Sequence, residues 1–336
     1  MDKQIKTAII GCGSFVNSMH IPNMLKNPKF KIHACVDINE SAAKETCKKT
    51  GAEYWTGDID RILKDKNIDL VVITTRHNTH AGLTVQAANA GKHILCEKPM
   101  AMNIEECHAV SSAVKKNNVK YTVGYNRGIA PLIKKAKELL TGDSHKKMIY
   151  HRIQAPFPAD SWTHIPEIGG GRFIGEGCHI FDLLCEITET APVSVYAAGG
   201  TFLDPDKVKI SDSGIITIFF GDGSVGTTLI SSAGCSAFPK EATEIYCNGK
   251  VIYINNFTDF EYYPGTNGAE KYSLAKQDKG QADEIDLLAD SIINDTQSPN
   301  GINKAARAAI ISFKVNESIA GMKPVQIKET EYNLIS

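Results

Sequence analysis

Short apolar runs alternate with amphipathic stretches over the first third of the chain. Residues 6–10, Phe30–Val36, 69–75, His93–Cys96 and 121–125 are apolar enough to be strands buried on both faces. Between them, 41–50, 58–64, 79–90 and Ile104–Asn117 carry the i, i+3, i+4 spacing of helices. Strands alternating with helices predict a parallel sheet, and right-handed crossovers make it doubly wound. After about residue 145 the period changes to two. Residues 149–155, 193–198, 214–220, Val225–Ser231, 243–247 and 250–254 read as strands with no helix between most of them. Gly221-Asp222-Gly223 and Asn248-Gly249 supply hairpin residues that accept positive φ. An antiparallel sheet of α+β type follows, closed by helices around Ile285, Leu288, Ala289 and Ile292 and over roughly 304–320. The division is expected at 1–126 and 127–336.

Composition narrows the class. The 336 residues carry 37 basic and 38 acidic side chains, so the basic excess of a nucleic-acid or membrane-surface binder is absent. No run of about 18 apolar residues and no signal-peptide pattern occur. The nine cysteines include no C-x-x-C pair and read as reduced thiols, which points to the cytoplasm. The histidines form no metal-binding pattern, so no metal is expected.

Candidate chemistry begins at Gly11-Cys12-Gly13-Ser14-Phe15-Val16, directly after a strand and before a helix pattern. One glycine suits the turn, the next allows close approach of a pyrophosphate, and the helix start at Ser14 and Phe15 offers free N–H groups. The third fingerprint position holds Val16 instead of glycine. Asp37, 26 positions after Gly11 at the end of the second strand, suits ribose hydroxyls and would repel a 2′-phosphate. NAD is expected over NADP. The run His93-Ile94-Leu95-Cys96-Glu97-Lys98-Pro99 ends a buried strand in an acid and a base, where parallel sheets bind ligands. A desolvated lysine there can exchange protons near neutral pH.

These segments, with the T-x-x-x-x-H of Thr75 to His80, Gly124-Tyr125-Asn126-Arg127, Gly169-Gly170-Gly171 and Gly177-Cys178-His179-Ile180-Phe181-Asp182, resemble the Gfo/Idh/MocA oxidoreductases. The resemblance spans both domains. It implies a Rossmann domain followed by an open, mainly antiparallel sheet, with the last helices packing back near the N-terminal domain. It also implies NAD(P)-dependent oxidation of sugars, inositols or nucleotide sugars. Lys98 matches the family's active-site lysine and His179 its active-site histidine. Thr75, His80, Glu97, Lys98 and Asn126 fall with the cofactor residues. Arg127, Trp162, Arg172, Glu176 and Asp182 are the substrate candidates.

Two positions depart from the family. Gly175 stands where many members have an aspartate four residues before the histidine, with Glu176 next to it. On a helix from about residue 174, Glu176 would lie about 60° from His179 and could take over part of that role. Gly128 and Ile129 follow Arg127 where an arginine and a phenylalanine are common in the family. Trp162 could stack on a sugar or anchor a domain interface. Arg172 could pair with a substrate anion or decorate a helix start. Lys279-Gly280-Gln281 could close over the substrate but reads rather as a solvated turn, and the aromatics Tyr246, Tyr253, Phe257, Phe260, Tyr262 and Tyr263 as sheet packing or an oligomer interface before a carbohydrate platform.

The expected reaction is hydride transfer between NAD and a secondary alcohol of a carbohydrate or cyclitol, with Lys98 or His179 as the base. Two alternatives keep the fold: glycoside cleavage or epimerisation through transient sugar oxidation, and a non-catalytic dinucleotide sensor. A homodimer or homotetramer is expected because an open sheet needs its outer face covered.

Overall fold

The computed structural model describes residues 4–334. Of these, residues 4–124, 281–306 and 333–334 group into one unit, and residues 125–280 and 307–332 into a second. The span 127–336, expected as an α+β substrate-binding and oligomerisation domain with its last helices packing back on the first, is shared between the two.

In the first unit, β1 (Ile5–Ile10), β2 (Phe30–Val36), β3 (Tyr54–Thr56), β4 (Leu70–Ile73), β5 (His93–Cys96) and β6 (Tyr121–Val123) form a sheet. Its order, β3-β2-β1-β4-β5-β6, reverses at β1/β4, and its pairings are parallel. The apolar runs end up almost wholly buried because helices cover both faces. Those helices are α1 (Ser14–Ser18), α2 (His20–Lys26), α3 (Glu40–Thr50), α4 (Ile59–Lys64), α5 (His80–Asn89) and α6 (Ile104–Asn117). Local chemistry sets their ends. Asn39 caps α3 by accepting from the Ser41 and Ala42 amides, and Gly51 closes it at φ 68°. Asn103 caps α6 through the Glu106 amide while the Glu106 carboxylate accepts from Met102 N, in a near-reciprocal cap.

One later helix belongs to this unit. Past α7 (Pro131–Leu140) and α8 (Cys178–Thr188) of the second unit comes α9 (Gln281–Ile293). Its Ile285, Leu288 and Ala289 share a buried cluster with Ile9, Val16, Ile21 and Met24. Lys29 on the turn after α2 pairs with Asp286 and Asp290 at 2.8 and 2.7 Å. Residues 302–306 of α10 (Ile302–Gly321) also group here, and the rest of that helix with the second unit.

The second unit carries nine strands: β7 (Met148–Gln154), β8 (Pro192–Gly200), β9 (Ser213–Phe220), β10 (Val225–Ser231), β11 (Glu241–Cys247), β12 (Lys250–Asn255), β13 (Asp259–Tyr263), β14 (Glu270–Ser273) and β15 (Val325–Gln326). They run in the order β14-β13-β12-β11-β7-β10-β9-β8-β15. Every pairing is antiparallel but one: β7 and β10 are parallel, since the chain returns to β7's side through α8, β8 and β9. The Asn248-Gly249 turn has φ 50° and 74°, the type I′ signature expected of a two-residue hairpin.

Alternation along these strands buries one face. Ile149, His151 and Ile153 of β7 and Ile216 and Ile218 of β9 point inward. Gly226 on β10 lets Leu184 of α8 approach, where an added Cβ would meet its Cδ1 at 3.1 Å. Among the aromatics concentrated around β11–β13, Phe257, Phe260 and Tyr262 are buried, whereas Tyr246 is exposed. Of the nine cysteines, Cys235 alone is exposed. No helix among the described residues is long and apolar enough to cross a membrane.

Candidate active site

The glycine turn after β1 is built for a ligand. Gly11 adopts φ 91°, and a Cβ there would lie 2.7 Å from the Thr74 carbonyl oxygen, so no other residue fits. Gly13, capping α1, has nothing within 4 Å of a would-be Cβ; the space in front of the helix start is open. Asp37 faces this turn. Its Oδ2 accepts from the Cys12 amide at 2.7 Å and its Oδ1 from Asn39 at 2.8 Å, which fixes the carboxylate at the end of β2. Open backbone at a helix start, beside an immobilised carboxylate, fits the pyrophosphate and ribose of NAD.

Two further sequence candidates act inside the protein fabric. His80 is fully buried, with Nδ1 2.9 Å from Pro99 O and Nε2 3.2 Å from Thr75 O. Burial pulls its pKa below the ordinary histidine range against the two carbonyls, and a neutral ring can donate to only one of them. Thr75 pairs through Oγ1 with Thr79 at 2.7 Å and is half-buried.

At the end of β5, Glu97 is buried and lies 2.6 Å from His20 Nε2. Burial would raise its pKa, but the His20 hydrogen bond and the His20 and Lys98 charges bring it below the usual carboxylate range. Gly124 is small for this reason: a Cβ there would meet Glu97 Oε1 at 2.8 Å. Lys98 therefore leaves the sheet from a rigid, ionised strand end, and the Lys98–Pro99 peptide is cis. His20 escaped the sequence reading because it sits in a helix pattern with no motif around it.

In the second unit, His179 and Asp182 occupy the first turns of α8, both buried, with the Tyr125 ring 6.0 Å from that of His179. The expected single helix from 174 is corrected. Residues Phe173–Gly177 form a π-helical turn before α8, and glycines at 175 and 177 remove the side chains that would favour an α-turn. The projected 60° between Glu176 and His179 no longer applies. Glu176 Oε1 instead meets Arg127 Nη2 at 3.2 Å and Lys240 Nζ at 3.4 Å.

Arg127 is buried and belongs to a larger ion cluster. Its Nε and Nη2 donate to the two oxygens of Glu241 at 2.7 and 3.0 Å. Lys279 Nζ donates to Glu241 Oε1 at 2.5 Å, so Lys279-Gly280 is no solvated turn, as its sequence had suggested. Asn126 donates to Lys279 O at 2.7 Å, and a Cβ on Gly280 would lie 2.6 Å from Asn126 O; the turn is pressed onto this segment. Burial would raise the Glu241 pKa, yet Arg127, Lys279 and His151 hold it well below the carboxylate range. His151, also buried, falls to about 4 through burial, against the pull of Glu241. Gly128 has a packing cause as well. A Cβ there would meet Glu186 Cγ at 2.7 Å and Asp182 Oδ2 at 3.5 Å, leaving no room for the bulk common at this position.

Trp162 opens a one-turn 3-10 helix, Trp162–His164, against which Gly169 packs backbone to backbone. Arg172 is buried beside it, its guanidinium 4.2 Å over the Phe157 ring. A separate cavity of about 510 Å³ is lined by Gln154, Cys235, Phe238, Lys240, Asn256 and Asp259 among others.

A Rossmann sheet with an open glycine turn and a fixed carboxylate defines an NAD-binding oxidoreductase. Residues 5–125 match the oxidoreductase family with NAD-binding Rossmann fold, and residues 140–252 match the GFO/IDH/MocA C-terminal domain. The chain belongs to the GFO/IDH/MocA family. It is 28% identical to the uncharacterised oxidoreductase YrbE of Bacillus subtilis over 98% of this chain and 99% of that one. It is 29% identical to the scyllo-inositol 2-dehydrogenase (NAD(+)) of Bacillus subtilis over 75% of this chain and 74% of the relative. Its fold superposes on the levoglucosan dehydrogenase complex with NADH and levoglucosan at a TM-score of 0.86, with 21% identity over 97% of this chain and 99% of that one.

Proposed function

We propose that the protein is an NAD-dependent dehydrogenase of a secondary alcohol on a sugar, cyclitol or sugar derivative, with Lys98 and His179 exchanging the hydroxyl proton. The observation that carries this is the strand end at Glu97. An ionised, buried Glu97 locked to His20 is an unusual device, and it serves to fix the backbone from which Lys98 projects. Bound NAD would supply the hydride acceptor, held by the Gly11–Phe15 turn and by Asp37. The chain's own residues then position and deprotonate the alcohol. His179, backed by Tyr125 and one turn from Asp182, is the second proton-handling group. Relatives named for inositol and levoglucosan dehydrogenation support a polyhydroxylated substrate. Arg127, Trp162, Arg172, Glu176 and Asp182 are the residues we assign to its binding.

Self-association belongs to the same reading. The outward face of the nine-stranded sheet exposes Tyr196, Ile215, Phe219, Tyr246 and Met148, the kind of surface a homodimer or homotetramer covers. Activity is tested by following NADH over a panel of cyclitols, sugars, glycosides and sugar nucleotides. Lys98→Met should keep NAD affinity within about threefold and lose on the order of 10²–10⁴ in kcat. Turnover like the wild type would overturn the assignment.

A further inference from the structure

Arg172 is a buried cation of the second unit that no acid pairs with directly. It is 4% exposed, yet among the described residues its guanidinium forms no ion pair or hydrogen bond. Nε is fully enclosed without a partner, whereas the two terminal nitrogens are not enclosed, so the residual exposure lies at the fork end. The nearest acids, Glu176 and Asp212, lend opposite charge from a distance but place no oxygen on the fork. Asp212 accepts from the Phe202 and Leu203 amides, both at 3.0 Å, and from Ser213 Oγ at 2.6 Å. Glu176 is shared between Arg127 and Lys240.

The other neighbours of Arg172 supply no acceptor to the fork either. The Phe157 ring under the guanidinium offers only its π-face, and His164, edge-on to the same ring at 5.3 Å, is buried with both ring nitrogens unpartnered. Burial lowers the His164 pKa, keeping the ring neutral. Around Glu176 and Glu241 the cations Arg127, Lys240 and Lys279 already outnumber the carboxylates they pair with. A buried guanidinium whose fork meets no acceptor costs stability, and a ligand oxygen pair at the fork would recover it. The planar fork suits a carboxylate or phosphate oxygen pair. Its place fits a substrate: Gly170 and Gly171, at φ 68° and 84°, turn the chain immediately before it, and His179 follows seven residues later.

We propose that Arg172 receives an anionic group of the substrate, carboxylate or phosphate, so that the alcohol oxidised belongs to an acidic sugar derivative. Phe157 supports the guanidinium from one side and the anion meets its two terminal nitrogens. This deepens the hydride-transfer reading above and rests on it.

The test compares matched pairs in the NADH assay: glucose with glucuronate, galactose with galacturonate, and each hexose with its 6-phosphate. The wild type should favour the acidic member at least tenfold in kcat/KM. Arg172→Gln should raise KM for it at least tenfold while kcat moves less than threefold, and Arg172→Lys should recover part of the loss. A uronate preference and a phosphate preference separate the two anion sources. Equal or better use of the neutral members overturns the proposal while leaving the hydride-transfer reading intact. If nothing in the panel is oxidised, calorimetry with NAD-saturated protein decides. Acids that bind the wild type and not Arg172→Gln support the anion receptor even as the dehydrogenase reading fails; absent or unchanged binding overturns it. Circular dichroism and NAD affinity check that the variant folds. Should Arg172→Gln not fold, the wild-type acid-to-neutral ratio decides alone, in kcat/KM or, without turnover, in affinity.

Discussion

The glycine turn of the first unit and the ion cluster of the second arrange charge by opposite means. The turn uses backbone: Gly11 accepts a conformation other residues refuse, Gly13 leaves space, and Asp37 is held by amides. The cluster uses side chains, with Arg127, Lys240 and Lys279 arranged on Glu176 and Glu241 inside the protein. Backbone donors come with the fold and lose nothing if the ligand leaves. Buried ions depend on one another, so removing a member strands the rest.

That contrast can be broken most sharply at Glu241. Glu241→Gln leaves Arg127 and Lys279 without their shared anion, and chemical denaturation should show a loss of about 3–5 kcal/mol. A loss below 1 kcal/mol would mean the cluster is not interdependent. His151 gives the next effect. Its folded pKa, about 4, lies below the unfolded value of about 6.5, so its contribution is complete above pH 6.5 and is lost as pH falls towards 4. Glu241, also depressed, acts in the same direction at lower pH. Unfolding free energy measured from pH 7 to 4.5 should fall on the order of 2 kcal/mol more in the wild type than in His151→Asn.

In the glycine turn, two alanine variants should part company. Gly11→Ala forces a Cβ against Thr74 O at positive φ and should cost about 1–3 kcal/mol of stability. Gly13→Ala meets nothing, so thermal unfolding should stay unchanged while NAD affinity drops. Equal loss of stability in both would refute the idea that Gly13 is kept open for the cofactor. The smallest effect is at Asp37. Asp37→Ala should shrink the preference for NAD over NADP about tenfold in kcat/KM, and an unchanged ratio would remove Asp37 from cofactor selection.

The same contrast explains what could be read from the sequence. Glycines, caps and strand periods are local signals, and they located the turn at 11–13, Asp37 and the end of β5 at Glu97. The ion cluster joins Arg127 to Glu241, 114 positions away, and no local pattern encodes that distance. Glu241 itself sits at the first position of β11, ahead of the alternating stretch from Thr243 that marks the strand in the sequence. The π-helical turn at Phe173–Gly177 was read as α-helix because its only local trace is two glycines in an otherwise helical pattern. Strand β14 carries too few apolar residues to announce itself, all four being exposed, whereas Phe260 and Tyr262 of β13 alternate inward and stand out only as part of an aromatic cluster. The parallel contact of β7 with β10 is a matter of topology, which strand periodicity cannot express.

Cys235 gives the second unit a built-in reporter. It is the one exposed thiol of nine, and it lies on the wall of the 510 Å³ cavity beside Lys240, whose ammonium reaches Glu176. A maleimide fluorophore would therefore attach at one defined place without mutagenesis. Its emission would follow ligand arrival near the ion cluster directly, in the absence of turnover and with no dependence on the absorbance of NADH.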